Sequence, residues 1–183
     1  MRKLSHEELL TRQQTVREAR KPLRFCAVLN NIRSLYNVGS VFRTADGAGL
    51  EKLWLCGVTG IPPDAKISKT ALGAEKSVPW EYARSARACI ENVKREGYEI
   101  LFLEQTAASI PYEKYEPHGP VCLVLGNEIE GVSGELLELC DKALEIEMAG
   151  LKISLNVTVA FGIAAYHIRA RMKSLWGAAP SGA

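Results

Sequence analysis

Three short polar segments of the chain carry residue types that could bind a small molecule and act on it. They span residues 30–43, 125–134 and 148–157, and each follows an apolar run typical of a buried strand. Loops that follow parallel strands emerge at one edge of the sheet, which is where ligands bind in open α/β folds. We therefore expect the three segments to meet in one pocket.

The side chains in these segments combine a guanidinium, a carboxylate, carboxamides and a hydroxyl. They belong to Arg43, Asn37, Glu128, Ser154 and Asn156. A guanidinium binds a phosphate through paired N–H groups and stabilises a developing anion. Gly126 and Gly131 leave room for a ligand to approach the backbone closely. Simpler roles remain open, because Asn and Ser also cap helices and an arginine on a helix surface can pair with a carboxylate.

Apolar runs that alternate with helical patterns predict an α/β domain with a mainly parallel sheet flanked by helices. Strands are predicted at 25–29, 53–56, 78–82, 98–103, 121–125 and 143–146, and helices at 5–20, 37–48, 83–96, 133–140 and 154–173. The stretch 57–76 contains several glycines and prolines and is predicted to be mostly loop. The glycine-rich phosphate loops of dinucleotide-binding and P-loop proteins do not occur in the sequence.

The charge distribution separates a short N-terminal segment from the rest of the chain. Residues 1–24 hold seven Lys or Arg and three acidic residues, whereas the net charge of all 183 residues is only +2. We predict a basic helical extension over residues 1–24, which would suit phosphates, although a solvated surface helix explains it equally well. One domain is predicted at 25–176 and a disordered tail at 177–183.

The cysteines give no sign of a metal site or a disulfide framework. Five of them are scattered along the chain without zinc-binding spacing. The chain also shows no apolar run long enough to span a bilayer and no secretory signal at its N-terminus. We therefore expect a cytoplasmic protein with reduced thiols, no bound metal and no membrane partner.

Taken together, the three polar segments resemble the motifs of the SpoU/TrmH family of the SPOUT superfamily. The similar stretches are Asn37–Arg43, Leu125–Ser133 with its Gly-Asn-Glu, and Ile146–Val157 with its Ser-Leu-Asn. The family consists of RNA ribose 2′-O-methyltransferases that use S-adenosylmethionine, and the resemblance covers residues 25–171. It implies a C-terminal deep trefoil knot, a tRNA or rRNA substrate, and a homodimer in which the helices predicted at 37–48 and 154–173 are candidates for the interface.

The resemblance also assigns roles to individual residues. It places the catalytic group at Arg43, Asn37, Glu128, Ser154 and Asn156, and the cofactor at Leu103, Glu104, Leu125, Gly126, Asn127, Ile146, Met148 and Leu155. Arg43 would act on the target 2′-hydroxyl or the adjacent phosphate. Because a guanidinium with a pKa above ~12 is a poor base at neutral pH, we expect it to stabilise the forming alkoxide and bind the phosphate.

Two other interpretations remain open at this point. The chain could be an RNA- and cofactor-binding module of the same fold without turnover, although the joint presence of the five catalytic residue types argues against this. It could also be a generic nucleotide-binding α/β protein, and the missing phosphate loops count against that.

Overall fold

The computed structural model describes residues 1–128 and 130–177, with side chains described up to residue 174. Within these ranges the strands form a single parallel sheet in the order β3-β2-β1-β6-β4-β7-β5. They are β1 (Phe25–Asn30), β2 (Lys52–Cys56), β3 (Trp80–Ala83), β4 (Glu99–Leu103), β5 (Ile110–Pro111), β6 (Val121–Leu125) and β7 (Lys142–Glu145). Every neighbouring pair of these strands is parallel, so the predicted α/β fold with a mainly parallel sheet is confirmed.

The helices cover both faces of the sheet. They are α1 (His6–Glu18), α2 (Leu35–Ala48), α3 (Ala65–Ala71), α4 (Ala74–Ser77), α5 (Ala86–Arg95), α6 (Gly134–Leu137) and α7 (Val157–Gly177). The larger core cluster packs α2, α3 and α7 against one face, and the smaller cluster packs α5 and α6 against the other. None of the helices in the described ranges is both long and apolar enough to cross a membrane.

The two central strands, β1 and β6, are buried along their whole length. Alternate side chains of β1 enter the two cores, with Phe25, Ala27 and Leu29 on the α2 side and Cys26 and Val28 on the α5 side. This alternation follows from the two-residue period of a strand, and it explains why both strands read as continuous apolar runs. The carboxyl ends of these two strands are therefore anchored in the buried core.

All five cysteines are free thiols. Cys26, Cys56, Cys89 and Cys122 are buried in the smaller core, and Cys140 lies half-buried beside it. No cluster of three or more His, Cys, Asp or Glu within the described ranges has a geometry that could hold a metal ion.

The N-terminal helix is formed as predicted but contributes nothing to the core. Ser5 and Glu8 form a reciprocal capping box at its start. No residue of α1 is buried. At the other end of the chain, Gly177 ends α7, and the rest of the predicted tail, 178–183, lies outside the described residues.

The prediction was wrong for part of residues 57–76, where two short helices replace half of the expected loop. Asp64 caps α3 by accepting hydrogen bonds from the N–H groups of Lys66 and Ile67. Leu72 and Gly73 then adopt positive φ values between α3 and α4. Helices this short carry too few apolar residues to show a helical period, so the glycines and prolines dominated the prediction. The trefoil knot remains a prediction of the family resemblance.

Candidate active site

A cavity of about 840 Å³ opens at the edge where β4, β6 and β7 end. Its wall contains all eight residues that the family resemblance assigned to a cofactor, namely Leu103, Glu104, Leu125, Gly126, Asn127, Ile146, Met148 and Leu155. Glu128, Ser154 and Asn156 also line it. Asn37 and Arg43 are not among the described residues of this wall. The second and third polar segments thus meet in one pocket, and the first segment reaches it through other contacts.

Glu128 connects the turn after β6 to the start of α2. Its carboxylate accepts hydrogen bonds from the side-chain amide of Asn37 at 3.1 Å and from the backbone N–H groups of Arg33 and Ser34, both at 3.3 Å. The last two groups lie in the loop between β1 and α2, which is the first polar segment of the sequence. One carboxylate therefore binds the first segment to the second.

The surroundings of Glu128 keep this carboxylate charged. Partial burial acts to raise its pKa, but hydrogen bonds from Asn37 and from the backbone N–H groups of Glu128 itself, Arg33 and Ser34 outweigh it, and the pKa lies below its ordinary value. A carboxylate with a lowered pKa is a weak base and is not a proton donor at neutral pH. Its geometry suits it to orient Asn37 rather than to move a proton.

Asn37 continues the chain of contacts to the third segment. The side-chain NH₂ group of Asn156 donates to the side-chain oxygen of Asn37 at 3.5 Å, and the Asn156 side-chain oxygen accepts from the N–H and the hydroxyl of Thr158 at 2.9 and 2.7 Å. A row of three side chains, Glu128–Asn37–Asn156, thus crosses from the end of β6 over α2 to the start of α7. All three polar segments are connected through it.

Two of the helix starts that differ from the expected ones, those of α2 and α7, affect the site. Asn37 does not cap its helix; Ser34 does, and its hydroxyl accepts from the Asn37 N–H at 3.3 Å. The Asn37 side chain is thereby free to bridge. The last helix begins at Val157, so Ser154 precedes it in an exposed stretch beside the cavity. Asn156 acts as a cap, as the simpler interpretation allowed.

Arg43 stands apart from this row. It is exposed on α2, and within the described ranges its guanidinium makes no hydrogen bond or ion pair. Six residues of α-helix make about 1.7 turns, so the side chains of Arg43 and Asn37 leave α2 in different directions. Arg43 is therefore available to a partner molecule, whereas the Asn37 side chain binds Glu128 and Asn156 of its own chain.

The sequence did not reveal the side-chain contacts that hold the loops together. Asn127 donates from its side-chain amide to the Asn31 carbonyl at 2.9 Å and accepts from the Glu130 N–H at 3.1 Å. Asn31 has a φ of 60° and accepts from the Val58 N–H at 3.1 Å. These bonds join the loops that follow β1, β2 and β6. Asparagine is common in tight turns, which is the signal that could have indicated this role.

The charged side chains described in the cavity wall are all acidic. Four glutamates lie in it, and the described lining contains no Lys or Arg. The glutamates are Glu104, Glu128, Glu130 and Glu145. Such a wall favours a cationic ligand and disfavours a polyphosphate. This argues against the generic nucleotide-binding interpretation on grounds independent of the missing phosphate loops.

Comparison with known proteins agrees with this geometry. Residues 24–166 match the model of the SpoU rRNA Methylase family. The tRNA (guanosine(18)-2′-O)-methyltransferase of Aquifex aeolicus is 32% identical over 138 residues, which are 75% of this chain and 64% of that enzyme. This chain therefore spans less than two thirds of that relative's length.

Solved structures show the same fold. The TrmH/SpoU tRNA modifying enzyme of A. aeolicus superimposes with a TM-score of 0.79 at 28% identity, covering 97% of this chain and 89% of that one. An AdoMet-bound rRNA methyltransferase from Sinorhizobium meliloti gives 0.74 at 25% identity, covering 85% and 61%. With most of its length matched by the family model, this chain belongs to the SpoU rRNA methylase family.

Proposed function

We propose that this chain is an S-adenosylmethionine-dependent methyltransferase that acts on a ribose 2′-hydroxyl of tRNA or rRNA. The observation that carries the proposal is the acidic cavity at the carboxyl ends of the strands, to which Glu128, Asn37 and Asn156 connect all three polar segments. The family description names rRNA, whereas the A. aeolicus relative is named for tRNA, and the proposal covers both substrates.

The cavity fits the methyl donor in size and character. Its volume of about 840 Å³ lies within the usual range of roughly 300–1,000 Å³ for small-molecule sites. Leu103, Leu125, Ile146 and Leu155 provide apolar wall for a base, and Gly126 adds backbone groups to the same wall. The four wall glutamates suit a sulfonium cation. When bound, S-adenosylmethionine supplies an electrophilic methyl group on that sulfonium.

The protein's own residues must bring the ribose oxygen into line and stabilise its charge. We assign the second task to Arg43, whose guanidinium is exposed, has no partner among the described residues, and suits the phosphate next to the target ribose and the forming alkoxide. Ser154 and Asn156, at the mouth of the cavity, would orient the target nucleotide. Asn37 would hold Asn156 in place, and Glu128 would hold Asn37.

RNA would be bound partly outside the cavity, by the basic extension. The α1 helix buries no residue in this chain, and basic side chains dominate residues 1–24. An extension with an excess of positive charge, whose helix buries none of its residues, is suited to a phosphate backbone. Because its helix buries no residue, we expect deletion of the extension to cost little stability, which makes this role testable.

We further propose a homodimer through α2 and α7, as the family resemblance implies. These two helices pack side by side, and α7 leaves Val159 and Tyr166 about half exposed, at 50% and 49%. Analytical ultracentrifugation would test this, with dissociation expected for Val159→Asp. A monomeric wild-type chain at micromolar concentration would contradict the dimer without affecting the cavity.

One observation favours the alternative of a binding module without turnover: the Arg43 side chain is not part of the described cavity wall. Two experiments separate the possibilities. Isothermal titration with S-adenosylmethionine and with ATP tests the ligand, and binding of ATP alone would overturn the proposal. Incubation with total small and ribosomal RNA and labelled donor, followed by mapping of the modified nucleotide, tests turnover. Donor binding without any incorporation would favour the binding module.

A further inference from the structure

Both carboxylate oxygens of Glu104 accept hydrogen bonds from backbone N–H groups of the cavity wall that contains it. It follows β4, and its N–H donates to the Leu144 carbonyl of β7 at 3.0 Å. Oε1 accepts from the N–H of Gln105 at 2.9 Å, and Oε2 accepts from the N–H of Val132 at 3.0 Å. The second bond crosses from the end of β4 to the turn after β6. It joins two walls of the cavity.

The contact between Glu104 and this turn leaves no space for a side chain. Gly131 has a φ of 66°, and a Cβ built on it would overlap Glu104 Oε2. A Cβ on Gly126 would in turn overlap the backbone of Gly131. The β6 turn, which we define as residues 126–128 and 130–132, is therefore closed on itself and seated directly on the Glu104 carboxylate.

The same turn is held at a second point. Glu128 is bound by Asn37 and by the backbone of Arg33 and Ser34, none of which contacts Glu104. Asn127 attaches the turn to the Asn31 carbonyl as well, and it pairs with Gly131 through two backbone hydrogen bonds. Loss of the Glu104 bond would therefore loosen the Val132 end of the turn, whereas the attachments through Glu128 and Asn127 would remain.

We propose that Glu104 is a positioning residue that sets the width of the methyl-donor cavity by fixing the β6 turn against the end of β4. The inference rests on the proposed function for the identity of the ligand, and on the Val132 hydrogen bond for its mechanism. Glu104 acts through the backbone of the turn and not by contacting the donor. Its loss therefore weakens donor binding more than it slows methyl transfer at saturating donor.

Hydrogen exchange of the chain without ligand tests the mechanism directly. In Glu104→Gln the new NH₂ group must face one of the two N–H donors, so one bond is lost. We expect the Val132 amide to exchange about tenfold faster, while the Leu123 amide in β6 stays unchanged. Glu147→Gln removes the same charge from an exposed position outside the described cavity wall and is expected to change neither amide. Because the glutamine oxygen could keep the Val132 bond and lose the Gln105 bond, Glu104→Ala, which removes both acceptors, is measured as well, and an unchanged Val132 rate in both variants overturns the proposal.

Titration tests the consequence for the donor. We expect Glu104→Gln to raise the Kd for S-adenosylmethionine about tenfold and to leave kcat at saturating donor within about threefold. Glu104→Asp, which withdraws the carboxylate by one methylene, should do the same if the Gln variant folds poorly. A purely structural role would lower the active fraction and leave Kd unchanged, and that result would also overturn the proposal.

A thermodynamic cycle that combines Glu104→Gln with a change in the donor distinguishes two roles of Glu104. In one, Glu104 acts only by fixing the β6 turn; in the other, it contacts the donor directly. The effect of Glu104→Gln should be the same with S-adenosylmethionine and with an analogue that lacks the ribose 2′-hydroxyl. Non-additive effects would mean that Glu104 binds the donor itself, contrary to the proposal. If the wild-type chain binds no S-adenosylmethionine, the proposed function fails. The Val132 exchange rate still decides whether Glu104 fixes the β6 turn.

Discussion

The side-chain amide of Asn37 donates a hydrogen bond to the Glu128 carboxylate over 3.1 Å, joining residues 91 positions apart. Asn37 lies in the first turn of α2, and Glu128 lies in the turn after the central strand β6. Through this bond the first turn of α2 is fixed relative to the cavity. Both ends of the bond can be removed separately, which makes its role measurable.

The charge of Glu128 should stabilise the fold in a pH-dependent way. Because its pKa is lower in the folded chain, its contribution is present above the unfolded pKa of about 4.3 and disappears as the pH falls through the folded value. We expect Glu128→Gln to lower the free energy of unfolding by about 0.5–1 kcal/mol at pH 7, a small effect for an exposed group, and by less at pH 3. Urea denaturation across this range measures it. A difference independent of pH would contradict the assignment.

Removal of the Asn37 amide should affect catalysis more than stability. Asn37→Ala breaks the contacts to both Glu128 and Asn156, so we expect methyl incorporation to fall about tenfold or more. Ser40→Ala on the same helix loses only a hydroxyl bond to the Tyr36 carbonyl and serves as the control. Single-turnover assays with saturating donor make the comparison. Equal activity of the two variants would remove Asn37 from the proposed machinery.

Arg43→Ala should abolish turnover and spare the cofactor. Since Arg43 is exposed and lies outside the described cavity wall, we expect S-adenosylmethionine affinity to stay within a few-fold while incorporation falls at least about a hundredfold. Arg43→Lys keeps the charge without the paired donors and should recover only part of the rate. Full activity of the alanine variant would show that the catalytic assignment is wrong.

Deletion of residues 1–18 should weaken RNA binding more than donor binding. No residue of α1 is buried, so the deletion costs the core nothing, and it spares Arg20, whose guanidinium lies against Gly49. Filter binding at several salt concentrations should show a lower affinity and a shallower salt dependence. Equal losses for RNA and donor would instead indicate a role in folding.

Gly39 lies where α2 contacts α3 without room for a side chain. A Cβ there would overlap the Thr70 hydroxyl and the backbone carbonyl of Ile67. We expect Gly39→Ala to lower the free energy of unfolding by about 1–3 kcal/mol, because backbone must move to make room. Gly119→Ala, which meets no atom within 4 Å, should stay within about 0.5 kcal/mol. Thermal unfolding of both variants would test this.

The parts of the fold that repeat a pattern were predictable from the sequence. The buried strands and the long helices follow from apolar periodicity, and the edge at which the polar segments meet follows from parallel strand order. The short helices α3 and α4 were missed because seven and four residues cannot display a period. The start of α2 was misplaced because Ser34 and Asn37 are both good caps, and only the contact to Glu128 decides between them.

The bonds that shape the cavity were not predictable in the same way. Asn127 joins the loop after β1, and Glu104 joins the turn after β6, through single side-chain bonds to backbone groups. Such bonds depend on which loops are adjacent in space, and they leave no trace in local sequence. The family resemblance predicted which residues line the cavity. Only the structure shows the contacts that each of them makes.

The unequal burial of the cysteine thiols has a practical consequence for labelling. With Cys26, Cys56, Cys89 and Cys122 sealed in the smaller core, a maleimide dye added to the native protein has a single accessible target, Cys140. Burial raises the pKa of that thiol, so coupling will be slow at neutral pH and faster in mildly alkaline buffer. Cys140 follows α6, close to the β4–β7 side of the sheet, and a fluorophore there would report on movements of this region without any engineered mutation.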